Sequence, residues 1–133
     1  MLIRAKDSLL NNYIYIYSIY LSKNGFDETC WYFLCSSENK FGLNVFTLDE
    51  IKEIEILDFE CQISYFYIDN EIVNRIRKNN WSIDENLYLN SQNQYMHPVL
   101  KYFLDNQWEV YEGIIEGQID DWREFEKKLG FRP

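Results

Sequence analysis

The chain has 133 residues, 47% of them hydrophobic and 26% charged, which fits one domain over residues 1–133 with a single core and no need of a metal or disulfide staple. The formal charge of −9, from 13 Lys and Arg against 22 Asp and Glu, argues against nucleic acid or an anionic membrane as partner, because phosphate contacts demand a basic face. A basic protein is the natural counterpart, and the 18% of aromatic residues exceed what so small a core absorbs, so some should lie on the surface.

The amino terminus carries Arg4, Lys6 and Asp7 and no small-residue cleavage site, and does not read as a secretory signal. From Tyr13 to Ser22 the chain alternates Tyr13, Tyr15 and Tyr17 with Ile14, Ile16 and Ser18. That period of two predicts a strand covered by helices on one side, with a half-exposed Tyr ladder on the other. Asn24-Gly25 supplies a positive-φ turn, lengthened by Phe26 to Thr29. Cys30 to Ser36 and Leu43 to Thr47 make two further strands of an antiparallel meander, joined by a turn at Asn39 to Gly42. Thr47 to Glu50 has capping-box spacing and could start a helical turn, while Ile51 to Phe59 leads into the strand-like run Cys61 to Ile68. Asp69 or Asn70 caps a helix through Lys78, with Ile72, Val73 and Ile76 on one face and Arg75, Arg77 and Lys78 toward the negative end of its dipole. Ser82 to Met96 is a polar connection with at most one short strand.

After Pro98, apolar residues at Leu104, Trp108, Tyr111, Ile115, Ile119, Trp122, Phe125 and Leu129 fall three or four apart, so the carboxyl third is helical. Gly113 and Gly117 divide it, and the second piece takes Asp120 as cap and ends at Gly130. The expected fold is α+β: an antiparallel sheet of about four to five strands mostly in the N-terminal half, packed with about two to three helices mostly in the C-terminal half.

The longest uncharged runs, Ser8 to Ser22 and Asn86 to Leu100, fall short of the roughly 20 apolar residues a spanning helix needs, so the expected location is the cytoplasm. Cys30, Cys35 and Cys61 cannot all pair within one chain and read as reduced, structural thiols. The single histidine, His97, leaves little scope for hydrolytic chemistry; ahead of Pro98 it reads as a helix cap or a surface residue. A zinc site from His97 and the three cysteines is disfavoured because Cys30 and Cys35 point to opposite faces of one strand. With no glycine-rich phosphate loop, Cys-x-x-Cys, His-Glu-x-x-His or calcium loop, no cofactor, metal or catalytic residue is expected.

Charge clustering carries the functional signal. Between Tyr102 and Trp122 stand Asp105, Glu109, Glu112, Glu116, Asp120 and Asp121, with no Lys or Arg. The first four make one acidic stripe if the helix is continuous, and like charges at that spacing cost a helix roughly 0.2–0.5 kcal/mol per pair. Trp108, Tyr111 and Trp122 interleave with them, and Trp and Tyr are the usual anchors of tight interfaces. These acids and aromatics form the candidate partner-binding surface. The bland reading of the same residues is a solvated helix face with the aromatics in the core, and a dipole cap at Asp120 and Asp121. A second acidic group, Asp49, Glu50, Glu53, Glu55, Asp58 and Glu60, adds to the negative field or lines a solvated edge.

The composition of 15 Ile, 13 Asn, 11 Tyr and 8 Lys against the single alanine Ala5 is the skew of AT-rich coding sequence and points to a low-GC bacterium, phage or mobile element. Small size, acidity, surplus aromatics and the missing catalytic motif give the whole chain a profile that resembles bacterial toxin-immunity proteins of the contact-dependent growth inhibition type. The resemblance implies a cytoplasmic, non-enzymatic inhibitor, a monomer or weak homodimer, that neutralises a basic protein toxin, above all a nuclease domain, by presenting carboxylates to its basic groove. Such proteins share no fold or signature, so no functional residue is carried over from them. Two other classes stay open: a small-molecule or peptide binder, which predicts an aromatic pocket with convergent polar groups, and a structural subunit that self-associates through its Tyr-rich sheet.

Overall fold

The structure, a computed structural model, describes residues 2–37, 40–57, 70–83 and 95–130. Strands β1 (Leu2–Asp7), β2 (Tyr13–Lys23), β3 (Thr29–Ser37), β4 (Asn44–Thr47) and β5 (Ile51–Leu57) form an antiparallel sheet in the order β4-β3-β2-β1-β5. A two-residue strand, β6 (Tyr95–Met96), adds to β2 at Ser18 and Ile19, just past the stretch Tyr13 to Ile16 that β1 covers. The described helices are α1 (Asn70–Lys78), α2 (Pro98–Asn106), α3 (Trp108–Glu116) and α4 (Ile119–Leu129). The fold is therefore α+β, with the sheet mostly in the N-terminal half and all helices but α1 in the carboxyl third.

Strand alternation sends Ile3, Ala5, Ile14, Ile16, Phe33 and Cys35 to one face of the sheet, where they meet Ile72 and Ile76 of α1 together with Trp81. The other face turns Tyr17 and Leu34 toward Leu100 and Phe103 of α2, Ile114 of α3 and Trp122 and Phe125 of α4. Cover on both sides explains why β2 is apolar on both sides. A bulge between Ile16 and Ser18 inserts Tyr17 opposite the Leu34–Cys35 step and shifts the phase, so that Ile19 and Leu21 return to the α1 face. The Tyr ladder thus runs under the C-terminal helices and is graded, not uniformly half exposed. Tyr17 is fully buried, edge-on to Phe125 at 5.2 Å and to His97 at 5.5 Å, Tyr15 is half-buried, and Tyr13 is 38% exposed under Arg4.

The next strand to β2, β1, is missing from the expected elements. Its signal is Ile3 and Ala5 alternating with Arg4 and Lys6, closed by a turn in which Asp7 Oδ1 accepts from the N–H groups of Leu9 and Leu10 (both 2.7 Å) and Asn11 takes φ 61°. Between β2 and β3 the residue with positive φ is Asp27 (60°), not Gly25, and Asn24 Oδ1 accepts from the N–H groups of Phe26 and Glu28. Thr47 to Glu50 starts only a 3-10 turn, in which the Thr47 N–H and hydroxyl donate to Glu50 Oε1 at 3.0 and 2.9 Å, before β5 begins. Helix α1 keeps its expected span, and Arg75 bonds Asn80 O and Ser82 O while lying 5.2 Å from the Trp31 ring centroid. The run Cys61 to Ile68, the cap Asp69 and the polar connection over residues 84–94 lie outside the described residues.

The carboxyl third holds three helices where two were expected. The chain breaks first at Gln107 (φ −144°, ψ 72°) and then at Gly117 (φ 79°), whose N–H bonds Gly113 O and Ile114 O. Gly113 breaks nothing: it lies inside α3, and the Asp121 carboxylate fills the space where a Cβ would be. Gly117 is required by close approach as well as by φ, since a Cβ there would stand 2.6 Å from Phe41 O. The N-cap of α4 is Gln118, not Asp120, because the helix restarts directly after Gly117; Asp120 and Asp121 occupy its first turn and Gly130 (φ 78°) its C-cap.

Candidate docking surface

Each residue of α3 has a side fixed by its position in the turn. Gly113 and Ile114 are buried, Val110, Tyr111 and Ile115 are half-buried, and Trp108, Glu109, Glu112 and Glu116 are exposed. Residues 108, 109, 112 and 116 project within about one quadrant of the helix, so three acids and an indole share its outer face. Trp108 is 55% exposed, and the Tyr111 ring lies 5.4 Å from it at 32°. Burial pushes the Tyr111 phenol up. Glu109, Glu112 and Glu116 form no ion pair among the described residues.

The remaining candidates stand apart from that face. Asp105 lies in the last turn of α2, before the break at Gln107, and is paired with Lys101 at 3.4 Å. The acidic stripe is therefore interrupted at Gln107 and again at Gly117. Asp120 is exposed at the start of α4, while Asp121 is half-buried against Gly113; both offset the positive end of the α4 dipole. Trp122 is only 4% exposed and packs on Phe125 at 5.3 Å and Phe41 at 6.5 Å, so it belongs to the core and offers no surface to a partner. What the structure brings together is Trp108, Glu109, Tyr111, Glu112 and Glu116.

Sequence reasoning missed Tyr20 and Tyr32, which stack across β2 and β3 at 5.7 Å and 26°. Burial first, and then Tyr32 and Tyr111, push the Tyr20 phenol up, which places Tyr111 near this pair. The bulge at Tyr17 hides them: past it, the side that carried odd-numbered tyrosines carries even-numbered ones. Reading the period of two separately on each half of β2 would have found Tyr20.

Within the second acidic group, two of the four described carboxylates are matched by cations of the chain. Glu53 pairs with Lys6 at 3.1 Å and Glu55 with Arg4, while Glu50 accepts from Thr47. Asp58 and Glu60 lie outside the described residues. Charged β5, with Glu53 at φ 52° and a register shift opposite Arg4 to Lys6, is the outermost of the described strands on its side of the sheet and carries the charges of a guarded edge.

His97 caps α2: its Nδ1 accepts from the Val99 N–H at 3.2 Å and its own N–H donates to Tyr17 O at 2.7 Å. Burial lowers its pKa to about 4, so it is neutral near pH 7. Cys30 is half-buried, and Cys35 is buried on the opposite face of β3, where burial pushes its thiol up. Among the described residues no group of three or more His, Cys, Asp or Glu is placed to hold a metal ion, and no helix is long and apolar enough to cross a membrane. An open recess of about 490 Å³ lies between β5 and Trp81, lined by Leu48, Ile51, Ile54 and Trp81 with Lys52, Glu53 and Asn79. No family model, curated protein or solved structure matches the chain.

Proposed function

We propose that the chain is a non-enzymatic inhibitor of the toxin-immunity kind, acting in the cytoplasm. It binds a basic protein, foremost the nuclease domain of a toxin, and lays the outer face of α3 on that protein's active site or groove. The observation that carries this reading is an asymmetry. The acids of β5 are matched by the chain's own Arg4 and Lys6, whereas Glu109, Glu112 and Glu116 share a helix face with an exposed Trp108 and pair with no cation among the described residues. Unmatched like charges weaken the helix that bears them, which favours a use outside the chain. Acids of one sign speed encounter with a basic partner by roughly 10 to 10³, and an indole among them supplies an apolar anchor.

Native mass spectrometry of the tagged protein, purified at low salt from its own cells, tests the reading. The expected result is a stoichiometric complex with a basic protein that is lost at high salt and absent for the triple variant Glu109→Lys/Glu112→Lys/Glu116→Lys. An unchanged complex with that variant contradicts it. A bare monomer carrying a small ligand would favour the binder reading instead, for which the recess beside Trp81 lies within the volume range of ligand pockets, about 300–1,000 Å³.

A further inference from the structure

Two of this chain's own cations are held by one arrangement: an aromatic face and a carboxylate. The Arg4 guanidinium lies 4.3 Å from the Tyr13 ring centroid and is bonded to Glu55; Lys6 lies 5.4 Å from the same ring and is bonded to Glu53. The ring quadrupole attracts the cation and the carboxylate neutralises it, each from a different side. The outer face of α3 repeats these parts with no cation of the described residues in place. Trp108 and Glu112 are four residues apart, hence neighbours one turn above the other. Tyr111 backs the indole at 5.4 Å. No Lys or Arg among the described residues stacks on Trp108 or pairs with Glu112.

Resting on the docking of a basic protein proposed above, we infer that Trp108 and Glu112 are the seat of an arginine side chain of that partner. Arginine fits better than lysine, as Arg4 lies closer to the Tyr13 ring than Lys6 does. Its guanidinium is planar and weakly hydrated, stacks flat on an indole and can still present two N–H groups to one carboxylate, whereas an ammonium is a strongly hydrated point charge. Glu109 and Glu116, on the same outer face, supply the field that draws the basic segment in.

The test uses the whole chain and two peptides of equal charge, one alternating Gly with Arg and one alternating Gly with Lys, each titrated at low salt while the indole and backbone N–H resonances are followed. The arginine peptide is expected to shift the Trp108 indole and the Glu112 amide and to bind about threefold more tightly than the lysine peptide. Trp108→Leu should abolish that preference while leaving the charge-driven part of binding, and Glu112→Gln should weaken both peptides. Trp108 is exposed, so far-UV circular dichroism should be unchanged in its variant. Equal binding of the two peptides with Trp108 unmoved overturns the arginine seat and leaves the acidic docking face standing. If neither peptide shifts any α3 resonance, both the seat and the docking face are overturned.

Discussion

His97 closes the first turn of α2 only as a neutral imidazole, because its Nδ1 must accept the Val99 N–H in a buried position. With a folded pKa of about 4 against 6.5 for the free side chain, the unfolded chain binds the extra proton between those values. The stabilisation is therefore complete above about pH 6.5 and falls away as pH drops toward 4, by about 3 kcal/mol in all. Urea unfolding of wild type and His97→Asn, which keeps an acceptor at the cap, isolates this contribution. Wild type is expected to lose about 2–3 kcal/mol more than the variant between pH 7 and pH 4.5, and equal losses would contradict the assignment. A second pair of residues separates backbone strain from crowding. Gly130 and Gly117 have nearly the same φ, 78° and 79°, but a Cβ meets nothing within 4 Å at Gly130 and meets Phe41 O at 2.6 Å at Gly117. Gly130→Ala should cost about 1 kcal/mol and Gly117→Ala about 3 kcal/mol, the excess being the displaced 41–42 backbone. Equal costs in thermal unfolding would show that the contact yields freely.

At the scale of the element, α3 carries its own penalty. Glu109 and Glu112 are three apart, Glu112 and Glu116 four apart, and Glu116 stands at the negative end of the helix dipole. Replacing all three with Gln should raise stability by about 0.5–1 kcal/mol at low ionic strength, with the gain vanishing at roughly 0.5 M salt where the Debye length falls toward a few ångströms. A loss of stability in the same thermal scan would mean that the carboxylates are held in place by contacts within the fold. Periodicity made this helix legible and misplaced its limits. The three-or-four spacing from Leu104 to Leu129 predicted one apolar seam, yet Trp108 is 55% and Ile119 52% exposed while Ile114, outside that seam, is fully buried. The breaks at Gln107 and Gly117 reset the helical phase, and no local pattern announces a reset at Gln107. Similarly, β2 was legible from its alternation but its bulge at Tyr17 was not, so Tyr20 and Tyr32 escaped. β1 escaped because a strand of only six residues, with Arg4 and Lys6 in alternate positions, is too short and too polar on one side to stand out. Stop signals with a single physical reading fared better: His97-Pro98 and Gly130 fell where capping chemistry put them.

For the whole molecule, the charge of −9 is distributed unevenly in its effect. Along β5 it is cancelled locally by Arg4 and Lys6; on α3 no described Lys or Arg cancels it. The candidate surface was readable in outline from the base-free span between Tyr102 and Trp122, but which of its members face outward depended on tertiary packing. Trp122 and Trp108 are both aromatic residues next to acids in the sequence, and only burial separates the core residue from the exposed one. If the chain acts as the proposed inhibitor, it should owe its speed to charge and its specificity to the indole. The most direct test is the association rate constant of the complex with the co-purified basic protein, measured against ionic strength for wild type and for Glu109→Gln/Glu112→Gln/Glu116→Gln. Docking through α3 predicts a rate that falls steeply with salt for wild type, by an order of magnitude or more, and a slower, flatter dependence for the variant. Identical rates and identical salt dependence in the two proteins would contradict a docking role for α3.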